Sequence, residues 1–209
     1  MLFFAEKRIL QLVTMAQNPL HRFKKWYQQE LAHTTVTVPT ACCLSTVGED
    51  GYPNTRVVSL KAVKEEAFVI TGAINARKGK EITAHPKVAL NFWWPTISKQ
   101  VRVQGLATLL STEEADTYFR EREKEAQIVS HITQQGQPLE SLEVLQQKFI
   151  AAKEMFQHRT IPRPAKWSGF LITPVRIEFM VFQMNRLHHR EIFIKSSPTE
   201  TWEATLLQP

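Results

Sequence analysis
The chain has 209 residues, 43% apolar and 22% charged, a balance that supports a full globular core without staples. No apolar run reaches the ~18–20 residues of a bilayer span, and Glu6, Lys7 and Arg8 interrupt the N-terminal apolar stretch too early for a signal peptide. The net charge of +6 leaves nucleic acid, an acidic membrane or a small phosphorylated ligand as partners, to be separated by where the cations fall.

Residues 1–17 read as a short helix or an arm, and residues 18–209 as one domain. Asn18 is placed to cap a helix whose first position is Pro19, followed by Leu20, Phe23, Tyr27 and Leu31 at helical spacing. Strand formers then dominate: 40–47, a "GEDGYP" turn, 54–63, 67–71, 87–94 and 99–110. "NARKGKEITAH" (75–85) reads as a short basic helix or a loop leading into one. Ser111 and Glu114 form a capping box before "EEADTYFRERE", and Leu142, Leu145, Phe149, Ala152 and Phe156 mark a further helix. Three strands close the chain, within 169–182, 189–196 and 201–208. Six to eight strands with hairpin connections and a few helices predict an antiparallel barrel or strongly curved sheet with peripheral helices. Cys42 and Cys43, being neighbours on a strand, point to opposite faces. They form neither a disulfide nor zinc spacing, and the cytoplasm is the expected setting.

The cations come in small sets beside apolar strands. Arg56 and Lys61 lie five apart in "RVVSLK"; strict alternation puts them on opposite faces unless a bulge intervenes or they meet different parts of a ligand. Solvated edge cations are the plainer alternative. Arg77, Lys78 and Lys80 crowd a helix start, where the dipole disfavours positive charge and an arriving phosphate would relieve it; ordinary surface lysines are the alternative. No GxxxxGK[ST] or GxGxxG occurs. Tyr118 and Arg122 lie four apart on the expected helix, suited to a phosphate or carboxylate and also common as a surface pair. In "NRLHHREIF" a strand over 185–194 would put Arg186, His188 and Arg190 on one face at ~7 Å intervals. The rings of His188 and His189 then diverge, and no nearby ligand set completes a metal site. Nothing resembles a recognition helix or an arginine tail, so a compact ligand with one or two phosphates fits better than nucleic acid.

In order, "RVVSLK", "TGAINARK", "KQVRV", "YFRERE", "PAKWSGF" and "RLHHR", ending in "LLQP", resemble the pyridoxamine 5'-phosphate oxidase family from about residue 18 onward. The resemblance implies an FMN-binding split β-barrel working as a homodimer, with FMN held between subunits. By position, Arg56, Arg77 and Lys78 resemble the FMN phosphate ligands, with Thr71 nearby, and Gln100 and Gln135 the amide contacts to the flavin. Trp167 and Arg190 would meet the flavin from the partner subunit, and the strand after Arg56 would offer its backbone. Lys61, Tyr118 and Arg122 resemble the clamp on the substrate phosphate, and Arg186 and His188 the catalytic pair over the pyridine ring. The implied reaction moves a hydride from C4' of pyridoxamine or pyridoxine 5'-phosphate to flavin N5. Oxygen then accepts the electrons, and neither membrane, metal nor nucleic acid takes part.

The chain departs from the family pattern at several places. Ala126 stands where a clamp serine is usual, Val38 where an acidic residue is usual, and residues 1–17 hold no counterpart of the arginine–tyrosine lid. Ile70, Ala76 and His189 replace an aromatic, a serine and an acidic residue. These departures leave two alternatives: an FMN oxidase of another small aromatic, of the phenazine-pathway type, and a non-catalytic carrier of FMN or pyridoxal phosphate. Retention of Lys61, Tyr118, Arg122, Arg186 and His188 favours the vitamin B6 reading.

Overall fold
Side chains that alternate along a strand give it one face to bury, and the strand segments of this chain bury theirs against each other. In the computed structural model, which describes residues 18–197 and 200–209, the strands are β1 (Ala41–Val47), β2 (Pro53–Val63), β3 (Phe68–Ala73), β4 (Lys87–Trp94), β5 (Lys99–Leu109), β6 (Trp167–Val181), β7 (His189–Ile194) and β8 (Glu203–Leu207). The helices among these residues are α1 (Pro19–His33), α2 (Arg77–Ala84), α3 (Thr112–Arg120), α4 (Lys124–Ile132) and α5 (Leu142–Met155). The arm expected over residues 1–17 lies outside the described residues.

The sheet order is β3-β2-β1-β4-β5-β6-β7-β8, every pairing antiparallel, and β3 also pairs with β6. That extra pairing closes β1 to β6 into a barrel, while β7 and β8 extend the sheet beyond it. The expected antiparallel split barrel with peripheral helices is the fold found. Leu44, Leu90, Phe92, Val101, Val103, Ile172 and Ile177 fill the interior. Helix α1 starts as its sequence predicts, with Asn18 Oδ1 accepting from the Leu20 amide at 2.9 Å and Pro19 in the first turn. It inserts Phe23 among Phe68, Phe92 and Trp94, with ring centroids 4.8, 4.8 and 5.3 Å away. Burying such a ring contributes ~1.5–3 kcal/mol, so α1 is held as part of the barrel core. Helices α3, α4 and α5 share a second core of Phe119, Ile128, Ala152, Phe156, Ile161 and Trp167.

One interruption in the ladder positions everything else. β2 pairs with β1 along Pro53–Ser59, but with β3 only through Leu60, Ala62 and Val63. β3 meanwhile continues along β6 to Ala73. The strands therefore part beyond Leu60 and Ile70, and residues 53–59 of β2 have no ladder with residues 71–73 of β3. The register also shifts between Leu60 and Ala62, leaving Lys61 as a bulge.

Two local expectations are corrected. Residues 185–188 do not belong to a strand: Val181 pairs with His189, and residues 182–188 form the connection between β6 and β7. Arg186 takes a left-handed φ of 67°, with its amide bonded to Gln183 O at 3.1 Å. Arg186, His188 and Arg190 thus do not share a straight strand face, because an antiparallel hairpin has to reverse the chain there. Tyr118 and Arg122 do not share a helix either. Helix α3 ends at Arg120, its last turn tightened by an Arg122 N–H bond to Phe119 O at 3.2 Å, and Arg122 sits in the break before α4.

Gly79 fixes α2 against the loop before it. A Cβ at this position would lie 2.0 Å from Ile74 O and 2.4 Å from Ile74 C, both backbone atoms. Intrinsic propensity favours Gly→Ala in a helix by ~1 kcal/mol, but the clash reverses the sign here. Gly79→Ala should lose about 1–3 kcal/mol, as overpacked sites do. Thermal unfolding should show it as a melting point lower by ~2–4 °C per kcal/mol; an unchanged or raised value would contradict the packing described.

Candidate functional site
Where β2 and β3 part, a cleft of about 690 Å³ opens. One wall is the free edge of β2, Arg56 to Lys61; the other is Thr71, Gly72 and Ala73 of β3 with Trp167 of β6. Lys78 of α2, Gln135, Lys166, whose Nζ donates to Thr133 O at 2.6 Å, and Arg122, Glu123, Ala126, Val129 and Ser130 around α4 also line it. The bulge at Lys61 resolves the spacing problem posed by the sequence: Arg56 and Lys61 line the same cleft.

At one end the cations are organised by a buried carboxylate. Glu81 is 3% exposed and accepts from Arg56 Nη2 at 2.8 Å, Arg77 Nε at 2.8 Å, Thr46 Oγ1 at 2.5 Å and Asn54 Nδ2 at 2.7 Å. Burial pushes this carboxyl up, but the bonds from Thr46, Arg77 and Arg56 outweigh it and hold it below the ordinary range. Lys78 carries no carboxylate. Its Nζ donates to Gln135 Oε1 at 2.7 Å and lies over Gly72, where a Cβ would come within 3.3 Å of it. Burial first, and then repulsion by Arg56, lower the Lys78 pKa. A desolvated ammonium beside a guanidinium, answered only by a neutral amide, is suited to an anion. Arg77 is nearby but outside the cleft lining, bonded to Glu81 and 3.9 Å from Asp50.

The other end holds Lys61 and Arg122. Lys61 Nζ lies 2.8 Å from Glu121 Oε2 and 5.6 Å from the centre of the Tyr118 ring, so these residues are neighbours despite the broken helix. Arg122 stacks on Trp167 at 5.1 Å, and its buried Nε has no hydrogen-bond partner. Burial lowers the Arg122 pKa. Trp167 is 2% exposed, packs against Phe119 and lines the cleft of its own chain, whereas the resemblance had assigned it to the partner's side.

Gln100, Arg186, His188 and Arg190 do not line this cleft. They lie on β5, on β7 and in the β6–β7 connection. Gln100 and Arg190 both stand opposite Met180, from β5 and β7, which sets them on one face ~10 Å apart. Arg190 is held by Glu178, a 5% exposed carboxylate that accepts its Nη2 at 2.8 Å and also pairs with Arg102. Burial raises the Glu178 pKa, but bonds from Arg102 and Arg190 more than offset that and leave it lowered. Glu81 and Glu178 therefore contribute stability that is complete above the ordinary carboxylate range and is lost as pH falls through their lowered values. In the β6–β7 connection, His188 Nδ1 accepts from the Gln183 amide at 3.0 Å, leaving Nε2 as the ring's donor. Neither Glu81 nor Glu178 was singled out from the sequence, although the i,i+4 spacing of Arg77 and Glu81 was available as a signal.

Residues 29–156 match the family model described as pyridoxamine 5'-phosphate oxidase, and residues 167–209 match that of the pyridoxine 5'-phosphate oxidase C-terminal dimerisation region. A pyridoxine/pyridoxamine 5'-phosphate oxidase of Rhodopseudomonas palustris (strain HaA2) is 39% identical over 196 residues, covering 94% of this chain and 92% of that one. Its namesake from Rubrobacter xylanophilus is 37% identical over 192 residues, covering 92% and 87%. Among solved structures, PhzG from Burkholderia lata 383, in complex with tetrahydrophenazine-1-carboxylic acid, superposes with a TM-score of 0.85 at 24% identity, covering 92% of this chain and 93% of that one. A pyridoxamine 5'-phosphate oxidase-related, FMN-binding protein from Nostoc punctiforme gives 0.75 at 15% identity, covering 93% and 100%. At these identities the two structures speak to the fold alone.

A bound phosphate would raise the lowered pKa of Lys78. Affinity for a phosphate ligand should therefore fall as pH rises past the free protein's Lys78 value. Fluorescence titration of FMN across the alkaline range should show this decline in the wild type. Lys78→Gln should bind ~10–100-fold more weakly and lose that part of the pH dependence, the loss expected for one charge-assisted bond.

Proposed function
This chain belongs to the pyridoxamine 5'-phosphate oxidase family, and we propose that it is an FMN-dependent oxidase converting pyridoxamine or pyridoxine 5'-phosphate to pyridoxal 5'-phosphate, with oxygen as acceptor. One observation carries the reading: a single cleft holds Arg56 with Lys78 and Lys61 with Arg122 at separate places beside the free edge of β2, with Lys166 also in its lining. Two phosphorylated aromatic molecules laid face to face need that arrangement. The residues present fit FMN, since Lys78 lacks a charged partner and the peptide groups of residues 57–59 that face away from β1 are free of any ladder with β3.

When bound, FMN supplies the hydride-accepting chemistry at N5. The chain's own residues supply position and charge. Arg56 and Lys78 would hold the FMN phosphate, with Thr71 and Gln135 beside them and Arg77 acting through Glu81. Lys61, Tyr118 and Arg122 would hold the substrate phosphate, the Arg122 Nε being a buried donor in want of an acceptor. Trp167 walls the cleft and backs Arg122, excluding water there. Gln100, Arg186, His188 and Arg190 lie away from the cleft of their own chain. In a two-fold dimer each chain's set would face the other's cleft, as an isologous interface requires. Residues 167–209, which match the dimerisation region, include three of these four. Arg186 would then orient the substrate ring with the His188 Nε2–H beside it, and holding two rings in register contributes most of the rate. Both cysteines are free, in keeping with a cytoplasmic enzyme. No helix among the described residues is long and apolar enough to cross a membrane.

A second reading, oxidation of another small aromatic, draws on Ala126, which lines the cleft without the hydroxyl usual in the family. Anaerobic addition of pyridoxamine 5'-phosphate to the flavin-loaded protein separates the two: bleaching of the flavin band supports the first, and an unchanged band rejects it. Arg186→Gly tests the division of labour. It removes the guanidinium and relieves a left-handed φ costing ~1 kcal/mol or more, so the melting point should hold or rise. FMN should stay bound while anaerobic flavin reduction slows by at least ~100-fold. FMN loss equal to that of Lys78→Gln would contradict the roles assigned.

A further inference from the structure
The two ends of the cleft are paired differently. At the flavin-phosphate end Glu81 is buried and fixed by four donors, while Lys78 meets only an amide. At the substrate end Lys61 already has a carboxylate, Glu121, at 2.8 Å, and Glu123 also lines the cleft. Part of the positive charge at this end is therefore already answered within the chain. Glu121 differs from Glu81 in being free to leave. Its side chain is 51% exposed, it stands at the C-cap of α3 in the break before α4, and Lys61 is its one side-chain ion-pair partner among the described residues. Exposed pairs of this kind are weak, so an incoming anion can displace it.

Resting on the reading that Lys61 and Arg122 receive the substrate's anionic group, we propose that Glu121 is an internal competitor for Lys61, whose carboxylate occupies the ammonium until a stronger anion replaces it and so weakens the hold on anionic substrates and products alike. A neutral group gains nothing from Lys61 beyond what Glu121 already supplies. A single negative charge only exchanges like for like. A phosphate dianion gains more from Lys61 and Arg122 than Glu121 gives up, so the internal carboxylate admits a doubly charged group while lowering the affinity with which it is held.

The test uses the flavin-loaded protein and inorganic phosphate, titrated by calorimetry, so that it does not depend on turnover. Glu121→Gln should bind phosphate about three- to tenfold more tightly than the wild type, the scale of one exposed ion pair with its repulsion removed. Acetate affinity should rise by a similar or smaller factor, because the same competing carboxylate is removed and a monoanion is repelled less. Adding Lys61→Met should abolish both gains. Unchanged or weaker phosphate binding in Glu121→Gln, with FMN retained, overturns the proposal, as does a gain that survives the loss of Lys61. If pyridoxamine 5'-phosphate fails to reduce the wild-type flavin, the substrate assignment falls, yet the phosphate titration still decides the role of Glu121.

Discussion
The fold turns on two strands that begin as partners and then separate. β2 stays bonded to β1 and β3 stays bonded to β6, so past Leu60 and Ile70 their facing edges have peptide groups without a ladder. Such an edge offers donors and acceptors that a ligand in the cleft can take up. The cleft is the consequence. Its position is set by the register of the barrel, while the side chains around it decide what fills it.

Two buried acids organise the neighbouring cations. Glu81 ties Arg56 to the α2 residue Arg77, and Glu178 ties Arg102 to Arg190. Each carboxylate sacrifices part of the local positive charge and in return fixes guanidinium groups that would otherwise sample many rotamers. Buried carboxylates with several donors are costly to move, so the guanidiniums of Arg56 and Arg190 are set before any ligand arrives. Lys78 and the Arg122 Nε, by contrast, are left with a weak partner and none. That inequality among neighbouring cations separates an anion site from an ordinary ion-pair network.

Much of this was legible in the residues. The Asn18–Pro19 start of α1, the Ser111–Glu114 box and the strand segments all follow from local chemistry, and the structure has them. The cleft cations Arg56, Lys61, Lys78 and Arg122 were readable as sets, and the bulge that brings two of them together was named as one solution. The failures are tertiary. Helix α4 was not read at all, since Lys124–Ile132 carries one fully buried apolar residue, Ile128, and its neighbours face the cleft. A strand over 185–194 would have included Asn185 to His188, and only pairing across the hairpin shows that the chain reverses there. Glu81 and Glu178 look like surface acids until the barrel closes over them.

The bulge at Lys61 has a bearing on how such a sequence can drift. Between Arg56 and Lys61 the cleft is bordered by main chain, and a side chain such as Val57 points outward, 68% exposed. Residue identity there is loosely held, but residue count is not. Adding or removing one residue in that interval would shift the strand's parity and turn either Arg56 or Lys61 to the opposite face. Over evolutionary time this segment should tolerate spelling changes far more readily than changes in length.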